Sequence, residues 1–192
     1  MTSGNTRQAL SRSAIISVAR RIADTEGIGE LTLRRVAAEL GTGQASLYRH
    51  IQHRAELLAL LADELVAEFP IVEPSSSDAP PDAIAAQWLA MFDYLVAHSW
   101  GAQVIAGGHH LATGAVPVVG HSQALLRAAG LSETDALHGY RALWHLLLGH
   151  LLNAHPLGHT SDTAVSTPDS SEFEWALRRL TAGLGTMNAW HR

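Results

Sequence analysis

Six residues near the end of the first quarter of the chain have side chains whose types suit contact with nucleic acid. They are Gln44, Ala45, Ser46, Tyr48, Arg49 and His50. Gln44 and Arg49 can hydrogen-bond to base edges in a major groove. Ser46, Tyr48 and His50 are of the kind that contacts phosphate oxygens, which fix register but carry no sequence information. The polar outer face of an ordinary helical hairpin would have the same composition, so composition alone leaves both interpretations open.

Two short helices must position these side chains, and the run from Leu31 to His53 (LTLRRVAAELGTGQASLYRHIQH) predicts them. Thr32 is the predicted N-cap of the first helix, because its hydroxyl can accept from an open backbone N–H. Gly41 is the predicted left-handed residue at the end of that helix. A second helix is expected over Gln44–Ile51. Two helices of this length around a glycine-bearing turn are typical of a helix-turn-helix.

The motifs in this run are L-T-x-R-x-V-A-x-E-L-G, then Leu47-Tyr48-x-His50, then a basic Arg54 that opens the next helix. They resemble the DNA-binding domain of the tetracycline-repressor (TetR) family of bacterial regulators, over roughly the first third of the chain. The resemblance implies that nine residues face DNA: Thr32, Arg34, Gln44, Ala45, Ser46, Tyr48, Arg49, His50 and Arg54.

Composition limits the other classes of protein. The 192 residues suit one helical subunit with a small head and a larger body, and the absence of cysteine excludes disulfides and thiol chemistry. No apolar run is long enough for a bilayer and no secretory leader is recognisable, so we expect a cytoplasmic protein without a membrane partner. The net charge is −5, but residues 1–64 hold eight arginines against seven acids. DNA binding would therefore rest on a local arginine face.

The apolar spacing predicts an all-α fold with a three-helix helix-turn-helix head and a helical body. The resemblance implies that this body is a ligand-binding and dimerisation domain. We expect three parts: residues 1–54 as the DNA-binding domain, 55–69 as a connecting helix, and 70–192 as the ligand-binding and dimerisation domain. A Pro/Ser-rich connector over 70–82 cannot continue a helix. Helices are predicted at about 11–26, 54–69, 81–98, 100–107, 116–129, 132–153 and 171–190.

The last helix has apolar residues that alternate four and three apart, which is the spacing of a coiled-coil seam. Together with the long helix before it, this helix would form a four-helix bundle around a twofold axis, so we expect a homodimer. The alternative is that both helices cover only their own subunit. The predicted dimerisation residues are Leu147, Leu151, Phe173, Leu177, Leu180 and Leu184.

The twelve histidines raise the question of a metal site, which needs two or three of them to converge. No His-x3-His pair lies on one helix face, so neither a metal site nor a cofactor is predicted.

Residues 100–153 contain Gly101-Ala102-x-Val104, the helix start Leu131-Ser132-Glu133, and His145 followed by Leu148-Gly149. These motifs resemble the C-terminal domain of the tetracycline repressor. Ile105 stands where that domain's metal-coordinating histidine would fall, and Asn153 where its acidic partner would fall, so the resemblance implies an effector other than magnesium–tetracycline. The predicted pocket residues are Trp88, Met91, Ile105, His109, Trp144 and His145.

These observations favour a ligand-responsive DNA-binding transcriptional regulator, a repressor that a small-molecule effector releases from a palindromic double-stranded operator. A His-rich metal-dependent enzyme on a helical scaffold is the alternative, but the chain has no HExxH motif and no facing pair of acids. A third interpretation is a dimeric binding protein with a vestigial head. No catalytic residue is predicted, and we expect a protein that is not an enzyme.

Overall fold

The computed structural model describes residues 10–107, 113–153 and 169–184, and within these ranges all the regular structure is helical. The all-α prediction is confirmed. Among the described helices, none combines the length and the apolar character needed to cross a membrane. The elements are α1 (Arg12–Glu26), α2 (Leu33–Glu39), α3 (Gln44–Leu47), α4 (Arg54–Ala67), α5 (Pro80–Ala97), α6 (Ser99–Ala106), a 3-10 turn (Thr113–Ala115), α7 (Val116–Ala128), α8 (Glu133–Leu152) and α9 (Ser170–Leu184).

The chain divides into two compact units, Met1–Ala62 and Asp63–Arg192, and the division falls inside α4. We call them the head and the body. In the head, α2 packs against α1 and α3. The apolar faces of the head's helices meet in a small core, as their three- and four-residue spacing predicts. Its fully buried residues include Ile15, Ala19, Ile22, Leu31, Val36, Leu47, Ile51 and Leu57.

Capping side chains set the helix boundaries of the head. Ser11 Oγ accepts from the backbone N–H of Ala14 and begins α1. Thr32 Oγ1 accepts from the N–H of Arg35 at 3.1 Å, which confirms the predicted N-cap of α2. Gly41 has φ 61°, a left-handed conformation that favours glycine, so the predicted turn residue after α2 is also confirmed.

The second helix of the helix-turn-helix is shorter than the predicted Gln44–Ile51, because regular α-helix ends at Leu47. The backbone nevertheless keeps helical hydrogen bonds from Tyr48 N–H to the Gln44 carbonyl (3.1 Å) and from Ile51 N–H to the Leu47 carbonyl (3.0 Å). His50 N–H bonds to the Leu47 carbonyl at 2.9 Å, a spacing of three residues that tightens the last turn. The stretch thus turns continuously to Ile51.

Helix α5 is the centre of the body and packs against α6, α7, α8 and α9. It is apolar on most of its surface, as a helix buried on several sides must be. Its one fully buried polar residue, Gln87, accepts from Val72 N–H at 2.9 Å and donates to the Pro70 carbonyl at 2.8 Å. A ring nitrogen of His121 lies 3.0 Å from the Val72 carbonyl oxygen. These bonds hold the start of the Pro/Ser-rich connector against the body.

The 3-10 turn at Thr113–Ala115 is docked directly on the second half of α4. The Asp63 carboxylate accepts from the Gly114 N–H at 2.9 Å and from the Thr113 hydroxyl at 3.2 Å. A Cβ at position 114 would lie 2.5 Å from the backbone oxygen of Asp63 and 2.8 Å from Ala67 Cβ. Only glycine allows the two backbones to approach this closely.

Helix α9 buries part of its predicted seam inside its own subunit. The Phe173 ring stacks on Phe92, with centroids 4.6 Å apart and planes at 11°, and it is fully buried, as are Leu177 and Leu147. The other predicted dimerisation residues, Leu151, Leu180 and Leu184, are half-buried in one chain. The predicted continuation of this helix to residue 190 lies outside the described residues.

Candidate functional site

The predicted DNA-facing residues of α3 and its following turn form one polar face with internal hydrogen bonds. Gln44 Nε2 lies 3.1 Å from the Tyr48 hydroxyl, and Arg49 Nη2 lies 3.3 Å from Ser46 Oγ. Tyr48 is 47% exposed, a high value for a large aromatic side chain. Both pairs join residues three or four apart, the separation at which side chains on a helix are neighbours. These hydrogen bonds therefore partly order the side chains of this face in the absence of a ligand.

The arginines of the head fall into two groups. Arg12 pairs with Glu56, Arg21 with Glu39, and Arg35 with both Glu26 and Glu39, at N–O distances of 2.7–2.9 Å. Within the described part of the chain, neither Arg34 nor Arg49 pairs with an acid, and both are exposed. The guanidinium groups of Arg34 and Arg49 therefore remain available to phosphate or base oxygens.

Ion pairing shifts the pKa values of two residues in the first group of pairs, Glu39 and Arg35. The hydrogen bond and the charge of Arg21 lower the pKa of Glu39. The hydrogen bond that Arg35 donates to Glu26 raises the pKa of Arg35, and the charges of Glu26 and Glu39 add to the effect. This network joins α1 to α2 on the surface of the head.

Three further predicted DNA contacts flank the central pairs. Thr32 is exposed, and while its oxygen caps α2 its hydroxyl hydrogen is still able to donate. Ala45 is exposed at the start of α3, where a methyl group can pack against a thymine methyl. His50 is half-buried at the end of the turn.

Arg54, the ninth predicted contact, is an exposed residue whose guanidinium is engaged by backbone carbonyls of the head. Its Nε donates to the Leu31 carbonyl at 2.9 Å and its Nη2 to the Ile28 carbonyl at 2.7 Å. Both acceptors belong to the connection between α1 and α2. The sequence gives no signal for this contact, because 23 and 26 residues separate the partners.

An unusual cap precedes α4. His53 Nδ1 accepts from the N–H of Glu56 at 3.0 Å, and the Glu56 carboxylate accepts in return from the N–H of Gln52 at 2.8 Å. The arrangement resembles a capping box, with histidine in the place of serine or threonine. Glu56 also binds Arg12, so the cap is linked to the start of α1.

In the body, an aromatic cluster brings together two of the predicted pocket residues. The Trp88 ring contacts the rings of Tyr140, with centroids 5.6 Å apart, and Trp144, at 6.4 Å, and those two rings stack on each other at 6.3 Å. Trp88 is fully buried, and its indole N–H has no hydrogen-bond partner among the described residues. Burial raises the pKa of Tyr140 to about 12. Tyr140 was not among the predicted pocket residues, although its four-residue spacing from Trp144 on α8 places the two rings on one helix face.

The structure does not bring all the predicted pocket residues together. Met91 is fully buried on α5 and Ile105 is half-buried on α6. His145 is exposed on α8, away from the buried face of that helix. His109 lies outside the described residues. In the described ranges, no three His, Asp or Glu side chains converge as a metal site would require.

Comparison with known proteins shows which families and structures this chain is similar to. Residues 15–61 match the family described as bacterial regulatory proteins, tetR family. Over these residues the head is therefore similar to the DNA-binding domain of the TetR family. This confirms the resemblance of the helix-turn-helix motifs. The HTH-type transcriptional repressor DrrR1 of Streptomyces coeruleorubidus is 34% identical over 131 residues, which are 66% of this chain. The aligned part is 47% of DrrR1, so the chain spans about half the length of that relative.

Solved TetR-family structures share the fold over nearly the whole chain. ActR of Streptomyces coelicolor in complex with (S)-DNPA is 26% identical, covers 92% of this chain and 98% of its own, and has a TM-score of 0.76. BioQ bound to its double-stranded DNA operator is also 26% identical, with the same coverage and a TM-score of 0.71. The named relatives are transcriptional regulators, and the enzyme alternative gains no support from them.

Proposed function

We propose that this chain is a homodimeric TetR-family transcriptional regulator, a repressor that a small organic molecule releases from its double-stranded operator. The observation that carries the proposal is the polar face of α3. It combines two base-reading side chain types, Gln44 and Arg49, with an exposed Tyr48 on one helical turn. Similarity to BioQ, solved with its operator, supports the same role for this face.

In this proposal Arg49 reads a base edge, while Tyr48, Ser46 and Arg34 contact the DNA backbone. The Gln44–Tyr48 and Ser46–Arg49 hydrogen bonds could break when these side chains bind DNA. Breaking them would cost little free energy because both are exposed. Thr32, Ala45 and His50 complete the contact surface. Arg54 has a different role, which is treated below.

The test is binding of the full-length chain to duplexes selected from a random pool, with Arg49→Ala beside it. We expect the substitution to cost roughly 1–3 kcal/mol on the selected sequence and to relax the preference at one base position. Arg127→Ala, an exposed arginine at the end of α7, is the matched control and should bind like the original chain. A chain that selects no sequence at all would refute the proposed function.

The homodimer is proposed to form through α8 and α9. Its support is the set of large apolar side chains that one chain leaves exposed there, Leu152 and Trp175, beside the half-buried Leu180 and Leu184. Leu180→Glu should give monomers in sedimentation and weaken operator binding, because a charge in the interface would be desolvated in both copies. Val116→Glu, at an exposed position of α7, should remain dimeric. A dimeric Leu180→Glu variant would show that the interface lies elsewhere.

The effector is proposed to be a flat organic molecule that contacts the cluster of Trp88, Tyr140 and Trp144. The supporting observation is the buried indole N–H of Trp88, because a buried donor without an acceptor costs free energy that a ligand acceptor would recover. Met91 and Ile105 remain proposed lining residues of the same pocket, whereas His145 is exposed and His109 lies outside the described residues.

No metal is needed in this proposal, because Ile105 offers no lone pair and Asn153 no charge to hold a magnesium–tetracycline complex. Titration with tetracycline and magnesium should leave tryptophan fluorescence and operator binding unchanged. Magnesium-dependent quenching with release of DNA would show that the effector is of the tetracycline class after all.

A further inference from the structure

Arg54 occupies an electrostatically unfavourable place for an arginine. It is the first residue of α4, and the positive end of a helix dipole disfavours a cation in the first turn. A phosphate bound nearby would compensate for that position. In the folded head the compensation comes instead from two backbone carbonyls.

The geometry is that of a fork. Nε and Nη2 of one planar guanidinium donate to two different carbonyls, those of Leu31 at 2.9 Å and Ile28 at 2.7 Å. Hydrogen bonds from a charged donor are about twice as strong as neutral ones. A lysine ammonium is a single point charge on a flexible stem and does not reproduce a planar two-donor contact.

The two carbonyls lie just before α2, and this location gives the contact its consequence. Thr32, which follows Leu31 directly, is the N-cap of α2. Helix α2 in turn packs against α3, which carries the DNA-facing residues. A change in the α1–α2 connection would therefore move the start of α2 and, through it, the orientation of α3.

We propose that Arg54 is a positioning residue of the head, which orients the helix-turn-helix by holding the α1–α2 connection, and that it is not a phosphate contact. The structural part of the inference concerns the head alone, whereas its effect on sequence recognition rests on the proposed function. The two parts are separated by measuring the head with and without DNA.

The first experiment is hydrogen exchange on the full chain without DNA, comparing Arg54→Lys and Arg54→Ala with the original. The reporting amides are Glu30, which bonds to the Gly27 carbonyl, and Arg35, which bonds to Thr32 Oγ1. Both variants should exchange roughly tenfold faster at these amides, the loss expected for one or two charge-assisted hydrogen bonds. Amides inside α1 should change little, which separates local release from global unfolding. Unchanged exchange in both variants would overturn the proposal.

The second experiment measures binding to the selected duplex and to an unrelated duplex over a range of salt concentrations. A positioning role predicts that Arg54→Lys, although still charged, loses roughly tenfold on the selected duplex and much less on the unrelated one, with an unchanged salt dependence. Arg34→Ala, which removes an exposed cation, should weaken both duplexes alike and flatten the salt dependence. If Arg54→Lys binds like the original while Arg54→Ala behaves like Arg34→Ala, Arg54 contacts phosphate. If the original chain selects no DNA, the proposed function fails, and the exchange experiment still decides the role of Arg54 in the head.

Discussion

Charged pairs and caps tie the surface of the head together, whereas stacked and tilted rings fill the body. Residues 1–62 contain no tryptophan and no phenylalanine. Their helices are joined at the surface by pairs such as Arg12–Glu56 and Arg21–Glu39. In the body, Phe92 and Phe173 stack at 4.6 Å, and the Trp88 ring contacts two further aromatic rings.

The difference fits the two proposed tasks. Exposed ion pairs each contribute little to stability, and salt screens them, but they fix side chains in defined directions. Large aromatic residues bury much area and supply most of a core's free energy. In the head, ion pairs therefore orient surface side chains around a small core. In the body, aromatic rings supply apolar surface of the kind that the proposed flat ligand would contact.

The largest expected effect comes from removing one of the body's stacked rings. Phe173→Ala should lower the free energy of unfolding of the body by about 3–5 kcal/mol, because the ring is fully buried against Phe92. Val116→Ala, at a position of α7 outside the proposed interface, is the control. Its side chain is 69% exposed, so the loss should stay below about 1 kcal/mol. Urea unfolding followed by circular dichroism measures both, and equal losses would contradict this account of α9.

The second test uses alkaline pH to probe the body. Burial raises the pKa of Tyr140 to about 12, above that of an unfolded tyrosine near 10. As pH rises past 10 the unfolded chain loses this proton first, so the free energy of unfolding should fall by roughly 2 kcal/mol by pH 12. Ultraviolet absorbance of the phenolate should show one of the three tyrosines titrating late. Tyr140→Phe should remove both the late titration and this part of the pH dependence.

A third comparison removes equivalent caps from the two units. Thr32 and Ser132 each accept from the backbone N–H three residues on, at 3.1 Å. Thr32→Ala and Ser132→Ala should each cost about 1 kcal/mol of stability in their own unit. Only Thr32→Ala should alter operator affinity, because only that cap begins the helix-turn-helix. Equal effects on DNA binding would show that the two units do not have separate roles.

The smallest expected effect is the acid response of the head's ion pairs. The hydrogen bond from Arg21 lowers the pKa of Glu39, so its contribution is present above the unfolded pKa near 4 and is lost as pH falls through the folded value. Glu39→Gln should make the stability of the head less dependent on pH below about 5. Glu133→Gln, at an exposed position of α8, is the control and should leave that dependence unchanged.

The Thr32 cap, the turn glycine and the helix-turn-helix were predictable from the sequence because each depends on residues close together along the chain. Thr32 and Gly41 behave as local rules require. The engagement of Arg54 was not predictable, since its partners are carbonyls that tertiary folding brings near. The spacing of apolar residues on α9 also could not show whether that helix packs within its own subunit or against a second one. The four-and-three alternation on α9 suits either a second subunit or α5, and Phe173 packs against α5.

The close approach of Gly114 to Asp63 has a consequence for the construction of chimeric regulators. Asp63 lies in α4 before the Pro/Ser-rich connector, yet its backbone oxygen would be 2.5 Å from any Cβ at position 114. A crossover at the connector would take α4, including position 63, from one protein and the turn at Gly114 from another. The two surfaces would then not have been selected to fit each other. A crossover after Ala62 transfers both residues together. Hybrids joined there should keep this steric match, whichever head they carry.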